Sequence, residues 1–356
     1  MFTEKYKSMF AEYEKFWERI PLKRPILNMS YQKDGAVPYR EPESLEERWL
    51  DAEYKYRKFK HNSTNAAYIA EGIPMLFTNY GPGCLSACLG GSFQLSKDSV
   101  WFDSVQYVKD WENPPAVCFD EQSPMWQYIV REQQLCAADP DVHFSITDLG
   151  GAMDIVASLR GTQNLLYDLY DYPDEVKAFS KEVTTLWKKS FDKELEIVRG
   201  TGQPYNNWMN IPSEKPWYPL QCDFCYMISP EQFREFILDD LIELVNYMPR
   251  SIYHLDGPGE LPHLDMLLDI PNLTGIQWTS GAGNEPLWDE KWFGLYKKIQ
   301  DKKKNLVLLG GIDENDLKGA ERLIKSIDPT GTYISIGCSC KEKAEDLLEK
   351  ITKWSE

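Results

Sequence analysis

The 356-residue chain has no run approaching the ~18 consecutive apolar residues that a membrane-spanning helix requires. It opens MFTEKYKSMFAEYEKFWERI, where charges interrupt every apolar stretch, so no secretory signal peptide is expected there. Both absences point to a soluble, cytoplasmic protein. Positive charge is scarce as well: 39 Lys+Arg stand against 56 Asp+Glu, a net charge of −17. Phosphate-backbone binding needs clustered Lys and Arg, so no nucleic-acid partner is expected. The basic cluster Lys302-Lys303-Lys304 follows Asp301 and reads as a solvated helix end. Paired CxxC motifs are missing too. The eight cysteines (Cys84/Cys88, Cys118, Cys136, Cys222/Cys225 and Cys338/Cys340) are too sparse for a disulfide framework and wrongly spaced for a zinc ribbon. Gly81-Pro82-Gly83 and Gly281-Ala282-Gly283 match neither GxGxxG nor a P-loop, which leaves nucleotide binding without support.

Aromatic residues are plentiful: 12 Trp, 20 Tyr and 15 Phe, or 13% of the chain. With many carboxylates they resemble the surface of a carbohydrate-processing barrel. A glycosidase, however, needs paired carboxylates at set separations, which no spacing here supplies. Most of the Trp residues are expected in the core, with Trp208, Trp217 and Trp278 the ones placed to line a pocket.

Periodicity organises the rest. Phe2, Tyr6, Met9, Tyr13, Phe16 and Ile20 share one helical face, and Pro21 stops that helix. Pro25–Ser30 reads as a buried strand and 41–60 as a helix opened by Pro42 and Ser44. Strand-like runs follow at Gly72–Tyr80, His143–Asp148 and Trp217–Phe224, with helices at Met153–Arg160 and Tyr172–Arg199. Ser229 and Pro230 form the N-cap and first position of another helix. In the last third, strands at Ser251–Leu255, Leu273–Trp278, Asn305–Leu309 and Tyr333–Ile336 alternate with helical stretches at 260–269, 289–301, 314–327 and 341–354. That alternation predicts βαβ units and a parallel sheet. The expected architecture is α/β: residues 1–356 as one (β/α)8 TIM barrel, with an N-terminal helical extension, residues 1–24, packed on it.

In such a barrel, chemistry sits at the C-terminal strand ends. These ends supply Asn79/Tyr80, Asp148, Gln221/Cys222/Asp223, His254/Asp256, Gln277/Trp278, Gly310/Gly311/Asp313 and Cys338/Cys340. His254 and Asp256, two apart on a strand, project from one face and can converge on one ion or substrate. A thiolate from Cys338 would complete a catalytic zinc set with one open position. The alternative is structural: Asp256 caps the Gly257-Pro258-Gly259 turn and His254 is an ordinary core histidine. Cys222 and Cys225, three apart on an extended strand, point to opposite faces and read as buried structural cysteines. Asp223 either titrates at the site or serves the start of the next helix.

Several segments together resemble the uroporphyrinogen decarboxylase superfamily. They are Asp148-Leu149-Gly150-Gly151-Ala152-Met153 with Ser158-Leu159-Arg160-Gly161, then Gln221-Cys222-Asp223-Phe224 with Ile228-Ser229-Pro230-Glu231-Gln232-Phe233, and Leu309-Gly310-Gly311-Ile312-Asp313. The resemblance is strongest over residues 144–356 and implies a (β/α)8 barrel. True decarboxylases of the superfamily carry an arginine-rich segment after the first strand, for a substrate with eight carboxylates. Here that place reads Asn28-Met29-Ser30-Tyr31-Gln32-Lys33-Asp34, and Gly337-Cys338 replaces the family's late Gly-His-Gly. Those departures favour the branch of corrinoid-dependent methyltransferases, which hold zinc through His-x-Cys and a later Cys. His254 and Cys338 fill two of these places, and Asp256 stands where the first Cys would be.

The resemblance thus implies a zinc-dependent methyltransferase moving a methyl group between a small-molecule donor or acceptor and a corrinoid (methylcobalamin) on a cognate partner protein. His254, Asp256 and Cys338 are the expected metal ligands, and Asp223, His254 and Asp256 the expected catalytic residues. Tyr80, Asp148, Trp208, Gln221, Gln277 and Trp278 are expected to bind substrate. A homodimer is compatible with this reading. The rivals are uroporphyrinogen decarboxylase itself and a non-catalytic barrel that binds a small ligand.

Overall fold

The computed structural model describes residues 2–102 and 106–356. Its strands are β1 (Ile26–Gln32), β2 (Ala66–Ala70), β3 (Gln94–Leu95), β4 (Val100–Trp101), β5 (Trp217–Leu220), β6 (Arg250–Asp256), β7 (Gly275–Thr279), β8 (Asn305–Leu309) and β9 (Thr332–Cys338). β3 and β4 pair with each other, while the other seven form one sheet in the order β2-β1-β9-β8-β7-β6-β5. Every neighbouring pair in it is parallel except β1 with the edge strand β2. Helical segments connect successive parallel strands from β5 to β9, so the fold is α/β. The first strand of the chain lies directly beside the last.

Two expected strands are not strands. Between Gly72–Tyr80 and His143–Asp148 the backbone pairing is a single parallel bridge, Leu76–Phe144. Pro74 has no N–H to give a ladder. Beyond the bridge, side chains take over the ladder's bonds: Thr78 N donates to Ser145 Oγ (3.2 Å) and Thr78 Oγ1 to Ser145 O (2.7 Å). Glu194, fully buried on the helix Pro173–Thr201, accepts from Thr147 N at 2.7 Å. Among the described residues, ladder hydrogen bonds therefore do not close the sheet into an eight-stranded ring.

Local signals explain the remaining boundaries. Ser229 and Gln232 form a capping box, with Ser229 Oγ accepting from Gln232 N and Gln232 Oε1 from Ser229 N. The expected helix over 41–60 is two, Leu45–Leu50 and Ala52–Asn65, because Asp51 leaves helical geometry to cap the second through Tyr54 N. The N-terminal helix ends at Trp17, short of Pro21, and Ile20 is 48% exposed. Trp17 takes the buried place instead, donating Nε1 to Pro212 O and standing edge-on to Trp217 at 4.7 Å.

Alternation along the strands divides the interior in two. Ile26, Trp217, Ile252, Val307 and Tyr333 gather with Tyr13, Phe16 and Trp17 of the first helix. Their sequence neighbours Leu27, Tyr218, Tyr253, Leu306 and Ile334 face the opposite way, into the cluster shared with the helices. The first helix thus packs across one end of the first face. That leaves the strands' C-terminal ends as the place where the same face carries polar groups.

Candidate functional site

His254 and Asp256 continue the face of Ile252, past its apolar cluster. Register sets His254 opposite Gln277 and Asp256 opposite Thr279 on β7. Gln277 donates Nε2–H to Thr279 Oγ1 at 2.8 Å, which turns its Oε1 toward His254 Nδ1. An oxygen facing Nδ1 requires that Nδ1 carry the proton, so the Nε2 lone pair is free for a ligand. The Trp208 ring meets the imidazole edge-on at 5.1 Å and walls one side.

Asp223 arrives from β5 on a tight turn. The helix Ala152–Arg160 positions that turn: Asp154 accepts from Asp223 N (3.1 Å) and Phe224 N (2.8 Å). The approach needs glycine, since a Cβ on Gly151 would lie 2.1 Å from Gln221 O. Ligand atoms of Asp223, His254 and Asp256 then come within 4.8 Å of one another. The walls of the site hold the Asp223 carboxyl above its usual value; His254 opposes this and Asp256 adds to it. Asp154 is raised well above the carboxylate range, by burial first and by Asp223 second.

Asp148 approaches from another side. Its Oδ1 accepts from Gly150 N (3.0 Å) and the Tyr218 hydroxyl (3.1 Å). Burial nonetheless pushes it up to about 6, against the pull of those two bonds. A cavity of about 390 Å³ lies between Asp148, Gln221, Asp223, His254, Trp208 and Trp49. A second, of about 270 Å³, shares Pro82, Gln221 and Asp223 with it and continues past Asp154 and Trp101.

The expected residues therefore divide. Asp223, His254 and Asp256 converge, and Asp148, Trp208 and Gln221 line the adjoining cavity. Gln277 stands behind His254 rather than in the cavity. Cys338 is not in the cluster: it shares the side of Ile334 and Ile336, facing the helices. Burial, then Glu314 and Cys340, push its thiol up to about 11. The same alternation turns Trp278 outward against Trp292, while Trp217 lies at the far end beside Trp17. Tyr80 is fully buried, its hydroxyl donating to Tyr128 O and its ring beneath Lys55. Gly257 is the N-cap of the turn helix that follows, and the Asp256 carboxylate lies in the cluster. Cys225 lies on that tight turn after β5 and not on a strand, and both cysteines are buried.

Asp154, Asp98 and Trp49 were not anticipated at the site. Asp154 had a signal, as an acidic residue in the first turn of a helix entered through Gly150-Gly151. Asp98 and Trp49 come from the N-terminal third, where no local pattern marks them.

These observations define a class: an α/β protein with an acidic, aromatic-walled, metal-competent site at its strand ends. No family model matches the chain, and no curated protein matches it. Among solved structures, a methyltransferase from Methanosarcina mazei shares the fold, with a TM-score of 0.65 over 98% of this chain and 99% of that one. Sequence identity is 13%, so the likeness is one of fold. No helix among the described residues is long and apolar enough to cross a membrane.

Proposed function

We propose that the protein is a zinc-dependent methyltransferase working with a corrinoid on a partner protein, the six parallel strands of its sheet and the segments Gly72–Tyr80 and His143–Asp148 together making the eight staves of a (β/α)8 barrel. The convergence of Asp223, His254 and Asp256 on a fold shared with a methyltransferase carries this reading. One imidazole and two carboxylates are ligand types that catalytic zinc sites use, and three of them leave a position open for substrate. Bound there, zinc would act as a Lewis acid on the heteroatom bearing the methyl group, and the corrinoid would serve as methyl carrier. Gln277 orients His254, as second-layer partners of metal ligands do. Trp208 excludes water from one side of the imidazole. Asp148, titrating at about 6, can hold or release a proton on its free Oδ2 near neutral pH.

The decarboxylase alternative is disfavoured, because neither Lys nor Arg lines either cavity among the described residues. An octaanionic substrate would find no counter-charge. Metal analysis of protein purified without chelator tests the proposal, with about one zinc per chain expected. His254→Ala and Asp223→Asn should each lose it, and methyl transfer to reduced cobalamin should fall with it. Full metal retention in both variants would sink the reading.

A further inference from the structure

We propose that the substrate carries a cationic head, such as a quaternary ammonium, seated in the cavity between Asp148 and Trp208, while the methyl group to be transferred sits on a separate, lone-pair-bearing heteroatom at the metal cluster. The cation's role as substrate rests on the methyltransferase reading; its binding does not. The carboxylates of Asp98, Asp148 and Asp223 line this cavity, with no Lys or Arg beside them among the described residues. A cavity walled by one sign of charge concentrates ligands of the other. Should a metal ion neutralise Asp223 and Asp256, Asp98 and Asp148 would still face the cavity.

Two unpartnered polar groups point independently to a ligand. Gln221 is 8% exposed and lines both cavities, yet its amide has no hydrogen bond among the described residues. Asp148 is equally buried, and both its protein bonds fall on Oδ1, leaving Oδ2 without a partner. Neither group is sealed from the cavity, so each presents its free hydrogen-bonding capacity there for a ligand to take up. Rings complete the seat. Trp49 spends its N–H on Ser96 O (2.7 Å), so its ring is what it offers the cavity, with Phe77 and Trp208 also in the wall. Aromatic faces beside carboxylates attract quaternary ammonium heads.

Choline and its uncharged isostere 3,3-dimethylbutan-1-ol test this by calorimetry and tryptophan fluorescence, on chelator-treated and zinc-loaded protein. Choline should bind at least about tenfold more tightly than the alcohol in both forms. Asp148→Asn, which keeps the Oδ1 acceptor, should weaken choline about tenfold and leave the alcohol unchanged. Equal affinities, tighter binding of the alcohol or of methyl β-glucoside, or no choline binding at millimolar concentration would each overturn the proposal. The wild-type comparison decides even if the variant folds poorly. Protein that holds zinc and ignores choline would refute the cation site alone. Protein that binds choline without ever holding zinc would refute the metal reading alone.

Discussion

His254 and Gln277 stand opposite each other on adjacent parallel strands, joined through Nδ1 and Oε1, with Thr279 fixing the orientation of the glutamine amide. One side chain thereby selects which imidazole nitrogen can bind a ligand. Gln277→Leu should lower zinc affinity about 10- to 100-fold, the usual effect of losing such a partner. Thr279→Val should shift it the same way, but less. A competition titration against a chromogenic chelator reads both; unchanged affinity in Gln277→Leu would remove the orienting role.

Cys338 offers a contrast. Its place among Ile334 and Ile336 predicts that Cys338→Ser leaves the metal content unchanged and lowers stability by about 1 kcal/mol, as a hydroxyl enters an apolar layer. Metal analysis beside urea unfolding separates the two effects. Loss of metal at constant stability would restore the thiol to the ligand set.

Asp154 holds the turn that presents Asp223. Asp154→Ala should cost about 1–2 kcal/mol, because two backbone N–H groups lose their acceptor. Zinc affinity should fall too, although Asp154 is outside the ligand cluster. An unchanged affinity would show that the turn keeps its shape unaided.

Glu194 gives a pH test. It is fully buried, and burial lifts its carboxyl to about 7 against the bonds from Thr147 and Gln133. The folded state thus holds this proton more tightly than the unfolded state, whose glutamate titrates at ~4.3. Stability from this group is complete below that value and is lost as pH rises through about 7. Glu194→Gln, which cannot ionise, should gain on the wild type by at most about 3 kcal/mol between pH 4 and 8. Urea midpoints across that range give the difference, and a constant gap would exclude the titration.

The parallel half of the fold was legible because β6 to β9 are short apolar runs divided by amphipathic helices, the clearest pattern a chain offers. Pairing of His254 with Asp256 followed from their spacing alone. Cys338 falls outside the cluster because a strand end alone does not give parity, and one residue of register turns a side chain to the other face. The helix Pro124–Ala137 was overlooked although Ser123-Pro124 repeats the Ser229-Pro230 start signal. β2 had no such signal: the helix Ala52–Asn65 passes into it with neither Gly nor Pro between. Asp148 was legible as a residue, but the loss of the ladder between its segment and that of Thr78 was not, because these segments are joined by side-chain bonds, which period-two patterns do not encode.

The first helix has a consequence for synthesis. Tyr13 and Phe16 pack against Tyr333, and Phe16 O accepts from Asn305 Nδ2. At roughly 5–20 residues per second, tens of seconds separate translation of Phe16 from that of its partners. Through that interval the helix carries an uncovered aromatic stripe on a nascent chain. Chaperone demand should therefore concentrate early, and release should wait for the final strand to emerge.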